Sequence, residues 1–153
     1  MGKIKAVCIS EKKGTAKTSV GRAMAIQNFG LEGDAHAGNW HRQVSLLPYE
    51  EIEAFKAEGA RVQDGSFGEN LITEGIKLRT LSVGTLLKIN NVLLEVTQIG
   101  KECHERCAIG KAMGRCIMPQ EGIFAKVIEG GEISEGNDIE VLEEKWDGTF
   151  ESG

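Results

Sequence analysis

The chain has little proline, few aromatic residues and no long apolar run. Its 153 residues include two prolines and 20 glycines, and 5% of them are aromatic. This composition favours short strands joined by tight turns over long helices. No apolar run approaches the roughly 20 residues of a membrane span, and the N-terminal residues lack the apolar core of a secretory signal. We therefore expect a cytoplasmic protein with reduced thiols and no membrane partner.

An excess of positive charge is also missing. The formal net charge is −5 and the pI is about 5.3, whereas general nucleic-acid binding usually needs a basic face. We expect no nucleic-acid partner. A domain of this length buries about two-thirds of its unfolded surface, so it needs no disulfide scaffold. The expected organisation is one domain over residues 1–143, followed by a flexible tail over residues 144–153.

The spacing of apolar residues predicts a mostly β protein with one or two short helices. Pro48, acidic residues after it and Gly59 as a stop predict a helix between them. Asn90 and Asn91 predict a hairpin turn, because asparagine tolerates positive φ. Short strands at short intervals are typical of a barrel or a sandwich. Segments with a strand pattern are residues 3–10, 20–29, 44–47, 78–81, 85–89, 92–99, 123–128 and 138–142.

Residues 100–124 concentrate reactive side chains. They hold three of the four cysteines, Cys103, Cys107 and Cys116. Each of the three has a basic residue within two positions, and a nearby cation lowers the pKa of a thiol from about 8.5 into the neutral range. Sulfur chemistry or binding of a soft metal is therefore the first hypothesis. The basic neighbours are Lys101, His104, Arg106 and Arg115.

Two other interpretations of the cysteines stay open, namely packing and structural zinc. Free cysteine is commonly buried as a small apolar residue, and Cys8, within an apolar run, fits that role. Cys103, His104, Cys107 and Cys116 would make four zinc-competent ligands. A structural zinc site usually has a second tight pair of ligands, whereas here only Cys116 follows. Zinc is therefore the weaker interpretation.

Ionisable residues also cluster in two other glycine-rich segments, residues 33–42 and 64–70. Loops of a closed barrel can converge at one mouth, a usual place for a ligand pocket. If they converge, His36, Arg42, Glu69 and Asn70 line a pocket that the cysteines face. Histidine can deprotonate a thiol or bind a ligand, and arginine can clamp a phosphate or carboxylate. Taken singly, each residue could equally serve a turn or a surface ion pair.

Residues 11–18 form a polar loop with a glycine in its middle. The basic charges of Lys12, Lys13, Lys17 and the later Arg22 are compatible with an anion-binding rim. A loop in contact with solvent is the simpler expectation for them.

Three sequence pieces occur in order, and together they carry a family resemblance. They are GLEGDAHAGNWHRQVSLL, GSFGENLITEGI, and VTQIGKECHERC followed by EGIFAKVIEGGEISEGNDIEV. The combination resembles the MOSC domain family, named for the C-terminal domain of molybdenum cofactor sulfurases, and it is closest to the short, single-domain bacterial members. The resemblance covers residues 3–142. It implies a closed or partly open β-barrel, related to that of pyruvate kinase, and a role in molybdenum cofactor or sulfur handling.

The resemblance also implies site residues. A cysteine of the C-terminal half would carry sulfur as a persulfide or ligate molybdenum, and the match falls on Cys103, with Cys107 as its competitor. His104, next to Cys103, would favour the thiolate and complete the expected catalytic set. The residues expected to bind the molybdopterin cofactor are His36, Arg42, Glu69, Asn70 and Lys101.

Partners follow from what the chain lacks relative to the family. It has no pyridoxal-dependent desulfurase domain, so we expect no covalently bound pyridoxal phosphate. Sulfur would then come from a cysteine desulfurase, or pass to a molybdoenzyme. Two alternatives stay open: a non-catalytic binding module with structural cysteines or zinc, and a molybdenum-dependent reductase of N-hydroxylated compounds. The sequence is compatible with both an enzyme and a binding protein.

Overall fold

The computed structural model describes residues 2–12, 16–100 and 122–145, which form eleven strands, one α-helix and one short 3-10 helix. The helix α1 is Tyr49–Ala57, and the 3-10 helix is Leu78–Thr80. The strands are β1 (Gly2–Ile9), β2 (Thr18–Ser19), β3 (Arg22–Ile26), β4 (Gly30–Leu31), β5 (Val44–Pro48), β6 (Leu71–Glu74), β7 (Thr85–Ile89), β8 (Val92–Ile99), β9 (Ile123–Glu129), β10 (Gly131–Ser134) and β11 (Asp138–Lys145).

Seven of these strands close into a barrel. Their order is β11-β7-β8-β9-β5-β6-β1, and the pairing of β1 with β11, for example Gly2 with Ile139, closes it. All neighbours are antiparallel except β5 and β6, which are parallel. Strands β10, β3 and β4 form a separate small sheet. The predicted mostly β barrel is therefore confirmed, and it is closed.

Two apolar clusters stabilise the barrel. The inner cluster takes side chains from all seven barrel strands, among them Val7, Leu46, Leu94 and Ile139. The outer cluster joins Cys8 to residues of α1, β5, β6 and β9 and to Phe67. Strict alternation would put Ile4 and Val7 on opposite faces of β1, yet both join the inner cluster. A register shift between Ile4 and Ala6 explains this, because an extra residue inverts the alternation.

Local signals predicted the helix and one hairpin correctly. Pro48 immediately precedes α1, and Ile52 and Phe55 bury its apolar side. Gly59 has φ +108°, so the chain leaves the helix through a conformation that glycine adopts readily. Asn90 has φ +55° in the turn between β7 and β8. Within the described residues, no helix is long and apolar enough to cross a membrane.

The strand predicted over residues 78–81 is wrong. Residues Leu78–Thr80 form a 3-10 helix, in which Leu81 N–H donates to the Leu78 carbonyl at 3.1 Å. The Leu78 side chain is buried in the inner cluster, so one apolar residue gave the segment its strand-like pattern. Strands β2, β4, β6 and β10 had no counterpart in the predicted pattern. Strand β11 runs to Lys145, two residues into the segment expected to be tail.

Candidate functional site

Three barrel strands bring residues 33–42 and residues 64–70 together. The N-terminal ends of β5 and β6 lie at one edge of the barrel, since these strands are parallel. The C-terminal end of β1 lies there too, because β1 is antiparallel to β6. Cys8 N–H donates to the Asn70 carbonyl at 2.7 Å, and Asn70 N–H donates to the Ser45 carbonyl at 3.0 Å. Side chains that follow β1 and precede β6 therefore meet at this edge.

Asn70 is the centre of a buried polar cluster at this edge. Its Nδ2 donates to the Cys8 carbonyl at 3.0 Å and to Asp34 Oδ2 at 3.1 Å. Its Oδ1 accepts from the N–H of Ser45 at 2.9 Å and from its hydroxyl at 3.2 Å. An asparagine amide offers two donors and one acceptor oxygen, and all are used here. Asn70 thus holds three segments of the chain in register.

A buried ion pair lies next to Asn70. Lys17 Nζ is 2.7 Å from Asp34 Oδ1, and the two side chains are 1% and 0% exposed. Asp34 Oδ1 also accepts from Ser10 N–H at 3.1 Å. The expectation of a solvent-exposed loop is therefore wrong for Lys17, whose charge is compensated inside the protein. Charges buried this deeply need such partners, because desolvating an unpaired charge costs several kcal/mol.

His36 extends the same cluster towards the surface. Its Nδ1 is 2.9 Å from Lys17 Nζ, and its backbone carbonyl accepts from Trp40 Nε1–H at 2.8 Å. The residue is half-buried. The structure therefore brings two of the predicted residues, His36 and Asn70, into one network through Lys17 and Asp34.

Glu69 is buried and faces its own loop. Its carboxylate accepts from Gly65 N–H and Phe67 N–H, each at 3.0 Å. Desolvation by burial raises the pKa of this carboxyl to about 7, although the backbone hydrogen bonds oppose the shift. Gly65 lies so close to Lys17 that a Cβ there would be 2.1 Å from the Lys17 carbonyl oxygen. Glu69 thus stabilises the loop that packs against the backbone of Lys17.

Arg42, at the other end of residues 33–42, lies in a more open setting. Its Nε donates to Gln98 Oε1 at 2.9 Å, and its guanidinium lies 5.1 Å from the centre of the Phe124 ring. His41 Nε2 is 3.0 Å from the same Gln98 oxygen. Arg42 is half-buried. Within the described residues its two terminal nitrogens make no hydrogen bond.

Arg42 lies close to where the cysteine segment leaves the barrel. Gly100 N–H donates to the Gly122 carbonyl at 2.7 Å, next to the paired residues Ile99 and Ile123. Residues 101–121 therefore begin and end at neighbouring positions of β8 and β9, which we call the stem. Gln98 Nε2 donates to the Gly100 carbonyl at 2.7 Å, so the residue that holds Arg42 also contacts the stem. The predicted Lys101, Cys103, His104 and Cys107, together with Cys116, lie outside the described residues.

Cys8 is a core residue, as its apolar neighbours in the sequence predicted. It is completely buried in the outer cluster. Burial raises the pKa of its thiol to about 12, and the nearby Glu69 carboxylate acts in the same direction. A thiol of this kind is inert near neutral pH. Within residues 2–12, 16–100 and 122–145, no group of histidine, cysteine and carboxylate side chains could hold a metal ion.

Sequence reasoning missed Gln98 and expected Lys17 in a loop in contact with solvent, yet both residues organise the site. Each acts through a partner distant in sequence, Arg42 and Asp34 respectively. Both partners lie within residues 33–42, a segment that the sequence singled out for its ionisable residues.

The MOSC domain model matches residues 33–140, about 70% of the chain. This chain belongs to the MOSC domain family. The matched range contains His36, Arg42, Glu69 and Asn70, the stem, and the cysteine segment between its two sides. Membership associates the chain with proteins related to the molybdenum cofactor.

Among known proteins, one relative is a "Reductase" of Gibberella moniliformis (strain M3125 / FGSC 7600). The alignment extends over 133 residues at 29% identity, and it covers 76% of this chain and 24% of that protein. The chain therefore spans about a quarter of the length of the relative it matches.

Solved structures support the MOSC-type fold. The YuaD protein of Bacillus subtilis superposes with a TM-score of 0.78 at 20% identity, over 92% of this chain and 96% of that one. YiiM of Geobacillus stearothermophilus superposes with a TM-score of 0.69 at 18% identity, over 94% and 76% of the two chains. The barrel of this protein is thus shared with both.

Proposed function

We propose that this MOSC protein binds the molybdenum cofactor and that a cysteine of residues 101–121 carries sulfane sulfur or ligates the molybdenum. The observation that supports the proposal most directly is the setting of Arg42 beside the stem. Its guanidinium is held in place, with two terminal nitrogens unused among the described residues. Family membership indicates the molybdenum cofactor as the ligand. Arg42 provides a guanidinium group that fits the anionic end of that cofactor.

The donor set near the stem fits a phosphate. Guanidinium binds phosphate with two parallel N–H donors, which adds geometric specificity to charge. Gln98 accepts a hydrogen bond from Arg42 Nε, and the guanidinium carbon lies 5.1 Å from the centre of the Phe124 ring. Neither hydrogen bonding to Gln98 nor the ring contact uses the two terminal nitrogens. A pre-oriented donor pair of this kind loses little conformational entropy on binding.

The reactive group would be the Cys103 thiolate, with Cys107 as its competitor. Lys101 and His104 lie within two positions of Cys103 and favour its ionised form. As a carrier, the thiolate attacks the terminal sulfur of a donor persulfide, a new S–S bond forms, and the donor leaves as a thiolate. A cysteine desulfurase would be that donor, and a molybdoenzyme the recipient. The molybdenum cofactor, when bound, supplies redox chemistry that amino-acid side chains lack.

A second candidate function is a molybdenum-dependent reductase, with N-hydroxylated compounds as the substrate class. The relative named as a reductase favours it. Since this chain corresponds to about a quarter of that protein, electrons would have to come from another domain or partner. The two candidates share Arg42 and the cysteine, and they differ in whether the cofactor stays bound through turnover.

The deciding experiment is intact mass and metal content of protein purified without reductant from a host that makes the cofactor. It is repeated after incubation with a cysteine desulfurase and cysteine. A gain of one sulfur atom, reversed by dithiothreitol, supports the carrier. Stoichiometric molybdenum with pterin supports a cofactor-holding protein. Stoichiometric zinc, or thiols that gain neither sulfur nor molybdenum, would overturn the proposal.

Three variants identify the cysteine. Cys103→Ser should lose the gained sulfur or the molybdenum, and Cys107→Ser should retain it. Cys8→Ala is the matched control, because Cys8 is buried in the core and its thiol has a raised pKa. Normal loading in both Cys103→Ser and Cys107→Ser would refute the assignment of either residue.

A further inference from the structure

We infer that Lys17 is a positioning residue that fixes the tautomer of His36, so that His36 presents a hydrogen-bond donor and does not serve as a base. The inference concerns the residues of the buried cluster. It rests on the proposed function only for the identity of the group that accepts the hydrogen bond.

The number of N–H donors on Lys17 determines the role of His36 Nδ1. A lysine ammonium carries three N–H donors and no acceptor. Three acceptors surround Nζ, namely Asp34 Oδ1 at 2.7 Å, His36 Nδ1 at 2.9 Å and Ser10 Oγ at 3.4 Å. His36 Nδ1 must therefore accept, which requires it to carry no proton. In a neutral imidazole the other nitrogen, Nε2, then carries the proton.

Asp34 and its partners hold Lys17 in place as an ammonium ion. The Asp34 carboxylate balances the ammonium charge inside the protein, and both side chains are almost fully buried. Asp34 is itself held by Ser10 N–H and Asn70 Nδ2. Protonation of His36 Nδ1 would place a second cation against the ammonium and remove one of its acceptors. The pair therefore holds His36 in the neutral form with the proton on Nε2.

The N–H of His36 Nε2 has a fixed direction. Nε2 lies on the opposite side of the imidazole ring from Nδ1, so its N–H points away from Lys17. The backbone of His36 is also fixed, since its carbonyl accepts from Trp40 Nε1 at 2.8 Å. A protonated Nε2 is a hydrogen-bond donor and has no lone pair to accept a proton. It cannot take a proton from a thiol, which removes one of the two roles predicted for this histidine.

The direct test is the tautomer itself. Side-chain ¹⁵N spectra of the whole chain near neutral pH, without added cofactor, are assigned with His36→Gln and His41→Gln. We expect His36 Nδ1 to be unprotonated and Nε2 protonated. A proton on Nδ1, or an imidazolium, would overturn the inference. Because this measurement needs neither molybdenum nor a reactive cysteine, its failure is distinguishable from failure of the proposed function.

Two variants test the part played by Lys17 and the role of His36. In Lys17→Met, which keeps the chain length but has no donor, the His36 signals should show mixed tautomers. An unchanged tautomer in the folded variant would contradict the inference. If Lys17→Met does not fold, the wild-type spectrum still decides.

His36→Gln can accept from Lys17 through its oxygen and donate outward through its amide. Alkylation of the thiols by iodoacetamide from about pH 6 to 8 should keep its wild-type rate and pH profile in this variant. A tenfold slower reaction would show that His36 is a base and would contradict the inference.

Discussion

The two ends of residues 33–42 hold charged side chains in opposite ways. At one end Asp34 is fully buried, and its carboxylate is shared among Lys17, Ser10 and Asn70. At the other end Arg42 is half-buried and is held through only one of its three nitrogens within the described residues. The first arrangement uses charge to build the fold. The second, on the proposed function, serves to bind an anionic ligand.

The difference follows from desolvation. A buried charge must have all its partners inside the protein, so little of its bonding capacity is left for binding. A partly exposed guanidinium keeps water on its open edge, and a phosphate can replace that water with charge-assisted hydrogen bonds. If Arg42 binds the cofactor as proposed, residues 33–42 join a binding group to a buried anchor, which is Asp34 with its partners Lys17, Ser10 and Asn70. Substitutions at the two ends should separate stability from binding.

The largest expected effect is on the anchor. Lys17→Met leaves the Asp34 carboxylate buried without its cation, and removing one partner of a buried pair costs about 3–5 kcal/mol. We expect the free energy of unfolding to fall by that amount in urea denaturation at neutral pH.

The matched control is a surface ion pair on the same barrel. Lys3 Nζ lies 3.6 Å from Asp138 Oδ1, with the two side chains 62% and 64% exposed. Exposed pairs contribute little, so Lys3→Met should change the free energy of unfolding by less than about 1 kcal/mol. Equal losses in Lys17→Met and Lys3→Met would show that burial does not distinguish the two pairs.

Glu69 should make the free energy of unfolding of the protein depend on pH. Its carboxyl pKa is about 7 in the folded protein and 4.5 as its ordinary value. Between these values the folded state holds a proton that the unfolded state has released, so the free energy of unfolding falls as pH rises. Linkage puts this fall at about 3 kcal/mol.

The variant Glu69→Gln has no charge to titrate and should lack this fall. The difference in free energy of unfolding between variant and wild type should therefore shift in favour of the variant from about pH 4.5 to 7. Denaturation curves collected across that range check it. Parallel pH profiles for the two proteins would mean that Glu69 is ionised throughout.

Arg42 should show the reverse behaviour, a large effect on binding with a small one on stability. Arg42→Gln removes the guanidinium, and we expect molybdenum and pterin retained per chain to fall at least about tenfold, equivalent to about 1.4 kcal/mol. Arg42→Lys should fall between, because it keeps the charge but loses the planar donor pair. The exposed Arg22→Gln is the control. Retention at the wild-type level in Arg42→Gln would exclude Arg42 from the cofactor site.

How far the fold could be predicted depends on how local each signal was. The helix after Pro48 and the turn at Asn90 were predicted because their residues act within one or two turns of chain. Strand β6 was missed because it has four residues after a glycine-rich run. Its pairing with β1 and β5 joins segments far apart in sequence. Such pairing is decided by the whole barrel.

The site residues also divide into those with a local sequence signal and those whose role depends on a distant partner. Residue type and motif pointed to His36, Arg42, Glu69 and Asn70, and the structure places them in or beside two polar networks. Lys17 could not be recognised, because its burial depends on a carboxylate 17 residues later. The cysteine assignments remain predictions.

The smallest effect should come from Gln98, which belongs to the binding end but does not itself offer a charge. Its Oε1 accepts from Arg42 Nε and lies 3.0 Å from His41 Nε2, while its Nε2 donates to the Gly100 carbonyl. Gln98→Glu keeps an acceptor for Arg42, loses the donor to Gly100, and adds a negative charge beside the guanidinium. That charge competes with an anionic ligand, so retention of the cofactor should fall about two- to fivefold, more steeply at low than at high salt. Gln98→Leu, which is neutral, should lose retention without the salt dependence. If Gln98→Glu binds as well as wild type at low salt, the phosphate does not reach Arg42, and the open edge of the guanidinium serves some other partner.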